Sequence, residues 1–325
     1  MIAPLITTTF EQLRQSVPQP LKPALRRVRD LANGTWPYAL ADWRLSRTPR
    51  NPVTFNEKVR HRIAYDRRPV LTRFADKAAA RELVADRIGK EFLAEFHGVY
   101  LNAEAIPWSS LPTEYVCKAT HGSGAVVIVW DGANPTARLP TSPRWAGWDR
   151  FTVRPEHALT HRFAPLIDKW MTLNYQHGPG RLPEWAYRDV PPRVLVEELL
   201  QDTDGSLPTD YKLFVFDGIC RLLYVPSHGP SGHTRAVFRP DGTPIPVSYG
   251  CPPPQEAVAL PENLPALVTA AEELGRGMDF VRVDLYSVDG RIVFGELTNY
   301  PAAGTDNFNP VSFDHEFGSY WRLPR

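Results

Sequence analysis

The sequence has little cysteine and no long apolar segment. Its three cysteines, Cys117, Cys220 and Cys251, are scattered and odd in number, which argues against a disulfide framework and for a reducing compartment. No apolar run reaches the roughly 20 residues of a membrane-spanning helix. The first residues, Met1 to Thr9, lack the basic flank and apolar core of a signal peptide. We therefore expect a soluble, cytoplasmic protein without an integral membrane segment.

The chain also lacks an excess of charge of either sign. Its 37 Lys and Arg residues balance 36 Asp and Glu residues, so neither nucleic acid nor a membrane surface is expected as a bulk electrostatic partner. The nine histidines have no metal-ligand spacing, which argues against zinc. The sequence contains no Walker phosphate loop, no dinucleotide-binding fingerprint and no serine-nucleophile elbow. These absences exclude several common enzyme classes, while 325 residues are enough for two or three lobes.

The patterns that are present predict hairpins of strands with helices between them. Asp76 is placed to cap a helix that Gly89 ends, and Asp217-Gly218 and Asp289-Gly290 are typical of hairpin turns. The predicted helices lie at 75–89, 155–175 and 262–274, and the predicted strands at 115–118, 125–130, 193–200, 211–216, 221–225, 280–286 and 292–298. Mostly antiparallel strands with interspersed helices indicate the α+β class.

A glycine turn separates two of the predicted strands. Gly122, Ser123 and Gly124 expose backbone N–H groups without side-chain bulk, which suits a polyphosphate. Lys118 adds a positive charge from the preceding strand, and His121 lies in the turn, within reach of a phosphate or substrate. Taken alone, the segment fits equally well an ordinary hairpin with an exposed lysine.

Charged residues also interrupt two apolar strands near the C-terminus. Period-two alternation places Arg282, Asp284 and Tyr286 on one face of a strand, and Glu296 and Thr298 on one face of the next. Charged groups in such strands are costly unless they are paired or bind a metal. Two facing carboxylates without His or Cys nearby favour Mg²⁺. The alternative is a surface hairpin with an arginine–carboxylate pair.

The proposed metal site depends on the register of this hairpin. A two-residue turn at 289–290 would leave Glu296 on the opposite face from Asp284. A three-residue loop at 288–290, with a bulge at its glycine, would place Asp284 opposite Phe294, with Glu296 diagonally adjacent on the same face. We predict the bulged, three-residue loop.

Two weaker signals lie between these motifs. Lys212 stands next to an apolar strand and can face either the core edge or a cleft. Glu197-Glu198 follows a buried strand, whose end can present backbone groups to an adenine. Lys212 alone is a weak signal, and a solvated strand end is the safer interpretation of Glu197-Glu198 alone.

The order of these stretches resembles the ATP-grasp fold and, more narrowly, the TupA-like ATP-grasp family, named for teichuronopeptide biosynthesis. The resemblance covers roughly residues 50 to 320. It implies two α+β lobes that clamp ATP, at 76–190 and 191–325, after a helical N-terminal region at 1–75. The matching stretches are Thr54–Lys58, Asp76-Lys77 with Arg81, Lys118 with His121–Gly124, Glu184-Trp185 with Tyr187, Glu197-Glu198, Asp210–Lys212, Arg282–Tyr286 and Gly295–Thr298.

The resemblance also implies a role for each matching residue. Asp284 and Glu296 would hold Mg²⁺, and Arg282 and Lys212 would take part in catalysis. Many ATP-grasp proteins have an asparagine two residues after the last glutamate, where this chain has Thr298 and then Asn299, so which of the two completes the metal shell stays open. The implied nucleotide contacts are Lys77, Lys118, His121, Gly122, Ser123, Gly124, Glu197, Glu198, Leu199, Leu200 and Lys212.

The activity implied by the resemblance is an ATP-dependent carboxylate–amine ligase. Its substrates would be a small-molecule carboxylate and an amine, such as an amino acid or a polymer-linked acid. One alternative is an ATP-grasp kinase that phosphorylates a hydroxyl. Another is a non-enzymatic carbohydrate-binding module, suggested by nine tryptophans. The sequence names neither the substrates nor the oligomeric state.

Overall fold

The structure is a computed structural model that describes residues 51–142, 148–177, 184–229 and 232–324. Most of the expected N-terminal helical region, residues 1–50, lies outside these ranges. The helices are α1 (Phe55–Tyr65), α2 (Pro69–Ala75), α3 (Lys77–Arg87), α4 (Thr160–Met171), α5 (Leu264–Gly275) and α6 (Ser312–Ser319). Within the described ranges, none of them combines the length and apolar character needed to cross a membrane.

Twelve strands are described, ten of which form two five-stranded sheets. The first sheet has the order β1-β5-β2-β3-β4 and the second β11-β10-β6-β7-β8. Only the β3–β4 pair is parallel among these ten strands, which confirms the α+β expectation. The strands are β1 (Phe96–Tyr100), β2 (Tyr115–Ala119), β3 (Val126–Val129), β4 (Arg150–Val153), β5 (Val194–Glu198), β6 (Asp210–Phe216), β7 (Ile219–Gly229), β8 (Gly232–Phe238), β9 (Ser248–Tyr249), β10 (Val281–Val288), β11 (Arg291–Thr298) and β12 (Phe308–Asn309).

Helix α4 covers the first sheet, as the amphipathic pattern at 155–175 predicts. Its apolar stripe recurs at helical spacing and is buried at Phe163, Leu166, Ile167 and Trp170. These side chains share one core with inward-facing residues of β2, β3 and β5. The first lobe is therefore a sheet with one helix packed on it.

The second sheet is covered on both faces, but only in part on one of them. Helix α5 packs so closely on one face that a Cβ on Gly275 would lie 2.5 Å from a methyl carbon of Val215. On the other face, Phe55 of α1 and Phe317 of α6 pack against Phe216 at ring-centroid distances of 6.2 and 5.3 Å. Period-two alternation puts Phe216 and Lys212 on this same face. The aromatic helices thus cover one end of the face, and the charged residues occupy the other.

The register of the β10–β11 hairpin differs from our prediction. The turn has two residues, Asp289 and Gly290, with φ of 49° and 82°, values typical of the type I′ turn that matches strand twist. The three-residue loop is therefore wrong. The bulge lies instead at Gly295, between the Asp284–Glu296 and Leu285–Phe294 pairs, and it returns Glu296 to the face of Asp284.

Glycine at 295 has a steric reason. A Cβ there would lie 3.0 Å from the Tyr286 ring and 3.1 Å from the carbonyl oxygen of Asp284. Both contacts are tighter than ordinary van der Waals packing, so a side chain would push the bulge out of place. The sequence pattern alone identified Gly290 as a turn residue, but it did not reveal the crowding around Gly295.

The lobe boundaries also differ from the expected ones. Strand β5, which we assigned to the second lobe at 191–325, pairs with β1 and β2 of the first sheet. Buried residues of α1, α2 and α3 share one core with the second sheet. The chain crosses between lobes more than once, and long-range strand pairing of this kind leaves no local signal in the sequence.

A buried ion pair fastens α1 to the start of β10. Arg62 has a fully buried side chain and donates from Nη2 to Asp279 Oδ2 at 2.6 Å. Asp279 also accepts from Arg68 at 2.7 Å and from the indole of Trp321 at 2.6 Å. The carboxylate is therefore the shared acceptor of three donors from α1, the α1–α2 loop and the C-terminal tail.

We expect Asp279→Asn to lower the free energy of unfolding by about 3 kcal/mol, because it leaves Arg62 buried without its main counter-charge. Urea denaturation followed by circular dichroism measures the change. Asp86→Asn is the matched control, since Asp86 pairs with Arg73 at an exposed site and should cost less than about 1 kcal/mol. Equal losses in the two variants would contradict a structural role for the buried pair.

Candidate nucleotide and metal site

A row of polar side chains crosses the second sheet. The strand registers place Tyr224 opposite Lys212, Lys212 opposite Asp284, and Asp284 opposite Glu296. Residues directly opposite one another in a sheet share a face. The row therefore joins β7, β6, β10 and β11 on the face that the aromatic helices leave partly uncovered.

Two cations neutralise the buried carboxylate at the centre of this row. Asp284 is only 2% exposed. It accepts from Lys212 at 2.5 Å and from Arg282 at 2.6 and 2.7 Å, through both carboxylate oxygens. Arg282 also donates to Glu296 at 3.0 Å and to the hydroxyl of Thr298 at 2.9 Å. The catalytic residues and the metal ligands predicted on β6, β10 and β11 thus form one hydrogen-bonded cluster.

The cluster lowers the pKa of one carboxylate and raises that of another. Burial opposes ionisation of Glu296, but Arg282, Lys77 and Lys212 outweigh it and lower the pKa of Glu296 to about 2. Burial raises the pKa of Asp210 to about 6, although Lys212 acts in the opposite direction. Glu296 is therefore an anion throughout the physiological pH range.

Lys77 reaches this cluster from the first residue of α3. The helix begins here because the Asp76 side chain caps it, accepting from the N–H of Ala78 at 3.0 Å. Lys77 donates from Nζ to the carbonyl of Gly122 at 2.5 Å. Burial lowers the pKa of Lys77 while the charge of Glu296 opposes that shift. Lys77 therefore lies between the glycine turn and the acidic residues of the second sheet.

The glycine turn is held against a tryptophan that the sequence did not single out. A Cβ on Gly122 would lie 2.2 Å from the ring of Trp148, and one on Gly124 would lie 3.0 Å from the Trp148 carbonyl oxygen. Gly124 also has a φ of +96°, which favours glycine. Ser123 and Gly124 are exposed. No spacing rule links Trp148 to this turn, so only the fold reveals the contact.

His121 lies beneath the turn rather than on its exposed side. It is 2% exposed, and its Nε2 is 2.9 Å from the carbonyl oxygen of Trp170. Burial lowers the pKa of His121. The predicted contact between His121 and a phosphate therefore has no support in this placement, and the residue instead joins the turn to the end of α4.

The predicted adenine segment begins with a paired glutamate. Glu197 binds Lys118 and accepts from Arg81 at 2.9 Å, so its side chain pairs with one cation from β2 and one from α3. Glu198 pairs with Arg291 at 3.3 Å. Leu199 and Leu200 follow, half-buried, beyond the end of β5. The Glu198–Arg291 pair links the end of β5 to β11 of the second sheet, and contact of the segment with an adenine stays a prediction.

Thr298 and Asn299 face opposite directions. Thr298 lies beside Glu296, with 3.1 Å between their side-chain oxygens. Asn299 is 3% exposed and donates to the carbonyl of Leu71 at 2.7 Å. Thr298 is therefore placed next to Glu296, whereas the described contact of Asn299 is with α2, and the role of either residue as a metal ligand stays a prediction.

The oxygen donors on this face suit a hard cation. Asp284, Glu296 and Thr298 provide carboxylate and hydroxyl oxygens, and Mg²⁺ commonly takes one or two carboxylates with the rest of its shell from substrate phosphates and water. Among the described residues, no group of three or more His, Cys, Asp or Glu side chains forms a metal cage. The donor set therefore fits Mg²⁺ bound together with a nucleotide.

The two sheets, the glycine turn and the acidic hairpin define an ATP-grasp protein. The chain matches the sequence model of the TupA-like ATP-grasp family over residues 57–135 and 168–322, more than half of its length. It belongs to that family and is therefore an enzyme of the ATP-grasp class, with ATP as its nucleotide.

Comparison with solved structures gives distant similarities. The ATP-grasp ligase PsnB bound to a minimal precursor aligns with a TM-score of 0.38 at 12% identity, over 71% of this chain and 54% of PsnB. D-cycloserine synthetase DcsG aligns with 0.38 at 15%, over 77% and 71%. D-alanine–D-alanine ligase from Bacillus anthracis with ATP aligns with 0.35 at 13%, over 70% and 54%. The match thus spans about half the length of PsnB, and no curated protein matches the chain in sequence.

We expect Gly122→Ala to weaken binding of the ATP analogue AMP-PNP by about tenfold, because the added methyl overlaps the Trp148 ring and forces the turn to move. Calorimetric titration measures the affinity. Adding Trp148→Leu to the same chain should recover most of the loss by removing the overlap. A double variant that binds no better than Gly122→Ala would show that the contact is not the cause.

The pH dependence of stability tests the environment of Glu296. Its folded-state pKa, about 2, is below its ordinary value of 4.5, so ionised Glu296 stabilises the native state above pH 4.5 and loses this effect as the pH falls toward 2. The stability difference between wild type and Glu296→Gln should shrink below pH 4.5 in urea titrations. Glu82→Gln, on the exposed side of α3, is the control, and a pH-independent difference for Glu296→Gln would contradict the assigned environment.

Proposed function

We propose that the protein is an ATP-dependent carboxylate–amine ligase that forms an amide bond through an acyl-phosphate intermediate and works in the cytoplasm. The observation that carries the proposal is the meeting of cations from α3, β6 and β10 at one pair of carboxylates. Lys77 approaches Glu296 from the start of α3, and Lys212 and Arg282 bind Asp284 in the second sheet. This arrangement suits the triphosphate of ATP and a carboxylate substrate together.

The first step activates the acid. An oxygen of the substrate carboxylate attacks the γ-phosphorus of ATP, the bond between that phosphorus and the β–γ bridging oxygen breaks, and ADP leaves. Lys77, Lys118 and the N–H groups of the glycine turn hold the phosphates, and Lys212 balances negative charge from the second sheet. When bound, Mg²⁺ would be held by oxygens of Asp284, Glu296 and Thr298 and would neutralise phosphate charge.

The second step forms the amide. The amine nitrogen attacks the acyl carbon, the bond from that carbon to the phosphate oxygen breaks, and phosphate leaves while the nitrogen loses a proton. Arg282 is the residue we assign to the developing oxyanion, because its guanidinium is fixed by three acceptors on the same face. A glycine turn packed on Trp148 would exclude the water that otherwise hydrolyses the acyl phosphate.

Arg282→Lys tests the assigned catalytic geometry. It keeps the charge but loses the two parallel bonds to Asp284, so we expect kcat to fall by about 100-fold, with a smaller effect on the KM for ATP. ADP release in the presence of a panel of acids and amines measures the rate. Arg73→Lys, at an exposed site on α2, is the matched control.

The dependence of ADP release on both substrates decides between ligase and kinase. The proposal predicts release only when an acid and an amine are both present, and hydroxamate formation when hydroxylamine replaces the amine. A phosphorylated product that resists hydroxylamine would contradict the ligase and identify phosphorylation of a hydroxyl instead.

A further inference from the structure

One motif of the chain, Glu184-Trp185-Ala186-Tyr187, has no part in the nucleotide and metal chemistry described above. Its last three residues form a single 3₁₀ turn, in which the N–H of Tyr187 donates to the carbonyl of Glu184 at 3.2 Å. In such a turn, side chains three residues apart lie on the same side. The Glu184 carboxylate and the Tyr187 ring are therefore neighbours.

The turn sits where the two lobes meet. Ala186 is fully buried in the core of the second sheet, and Tyr187 packs against the same core. Helix α2 contacts both this turn and β11, the strand that carries Glu296. The motif is thus anchored on the second lobe, next to the strand that carries the acidic site.

A line of aromatic rings joins this turn to the glycine turn of the first lobe. The ring of Tyr187 lies 4.6 Å from that of Tyr175, which lies 5.1 Å from Trp148. Trp148 in turn packs on Gly122. Tyr175 is only 7% exposed, whereas Glu184 and Tyr187 are half-buried, so Glu184 and Tyr187 are the accessible end of this line.

The two groups of side chains differ in charge and therefore favour different substrates. The lysines and Arg282 attract a carboxylate and phosphates, whereas Glu184 and the Tyr187 hydroxyl suit an ammonium group, through ion pairing and a hydrogen bond. The pKa of Tyr187 reflects its position: burial raises it, and the charges of Glu184 and Glu296 raise it further.

We propose that Glu184 and Tyr187 form the binding site for the amine substrate, which they recognise as a primary ammonium cation. This inference rests on the proposed ligase and adds where its second substrate binds. It places the amine at the turn of residues 184–187, which α2 connects to β11, the strand that carries Glu296. Substrates that carry an α-amino group or an amino sugar nitrogen belong to this class.

The experiment is a ligand-observed NMR titration of the full chain with the standard L-amino acids and glucosamine, with AMP-PNP and Mg²⁺ present. Each amine is paired with its N-acetyl form, which lacks the positive charge. We expect at least one amine to bind and its N-acetyl form to bind about tenfold more weakly. Glu184→Gln should weaken that amine by about tenfold and Tyr187→Phe by about fivefold, with AMP-PNP affinity unchanged.

Glu82→Gln on α3 and Tyr65→Phe at the exposed end of α1 are the matched controls and should leave amine affinity unchanged. The inference is overturned if no amine in the panel binds, or if neither Glu184→Gln nor Tyr187→Phe weakens amine binding. It is also overturned if both substitutions reduce AMP-PNP affinity as much as they reduce amine affinity, since that result indicates a structural role. Failure of the wild type to bind AMP-PNP would overturn the proposed ligase and this inference with it, so the two failures are distinguishable.

Discussion

The buried carboxylate of Asp284 constrains the rest of the site. An ionised carboxylate at 2% exposure is tolerated only when cations and hydrogen bonds replace its water. Lys212 and Arg282 do so from β6 and from β10 itself, and their positions depend on correct strand register. Lys212 and Arg282 also lower the pKa of Glu296. The ionisation of Glu296 and the pairing of Asp284 therefore depend on the same side chains.

The start of α3 connects the two lobes. Asp76 caps the helix and accepts from Arg193, the residue just before β5, at 2.5 Å. Lys77 binds the glycine turn, and the charge of Glu296 raises the pKa of Lys77. A single helix N-terminus thus ties the first sheet to the acidic face of the second. Movement of the glycine turn would displace Lys77 and so change the pKa of Glu296, because Lys77 contacts the turn and lowers that pKa.

Local patterns predicted most elements and several site residues. The cap at Asp76, the stripe on α4 and the alternation of Arg282 with Asp284 all depend on neighbours in sequence, and the structure has each of them. Our prediction of the β10–β11 register was wrong because either Gly290 or Gly295 could accommodate the bulge. Only the crowding around Gly295 by Tyr286 and Asp284 identifies Gly295 as the position. The pairing of β5 with the first sheet also depends on residues far away in the sequence.

By itself, the sequence determined the α+β class, the order of motifs and which residue types carry the chemistry, since these follow from periodicity, turn propensity and charge within short windows. Tertiary structure alone decided that Thr298 rather than Asn299 faces Glu296, that His121 is buried beneath its turn, and that Trp148 packs on Gly122. Each of these depends on which distant surface a side chain meets, and packing between segments far apart in the chain has no counterpart in local pattern.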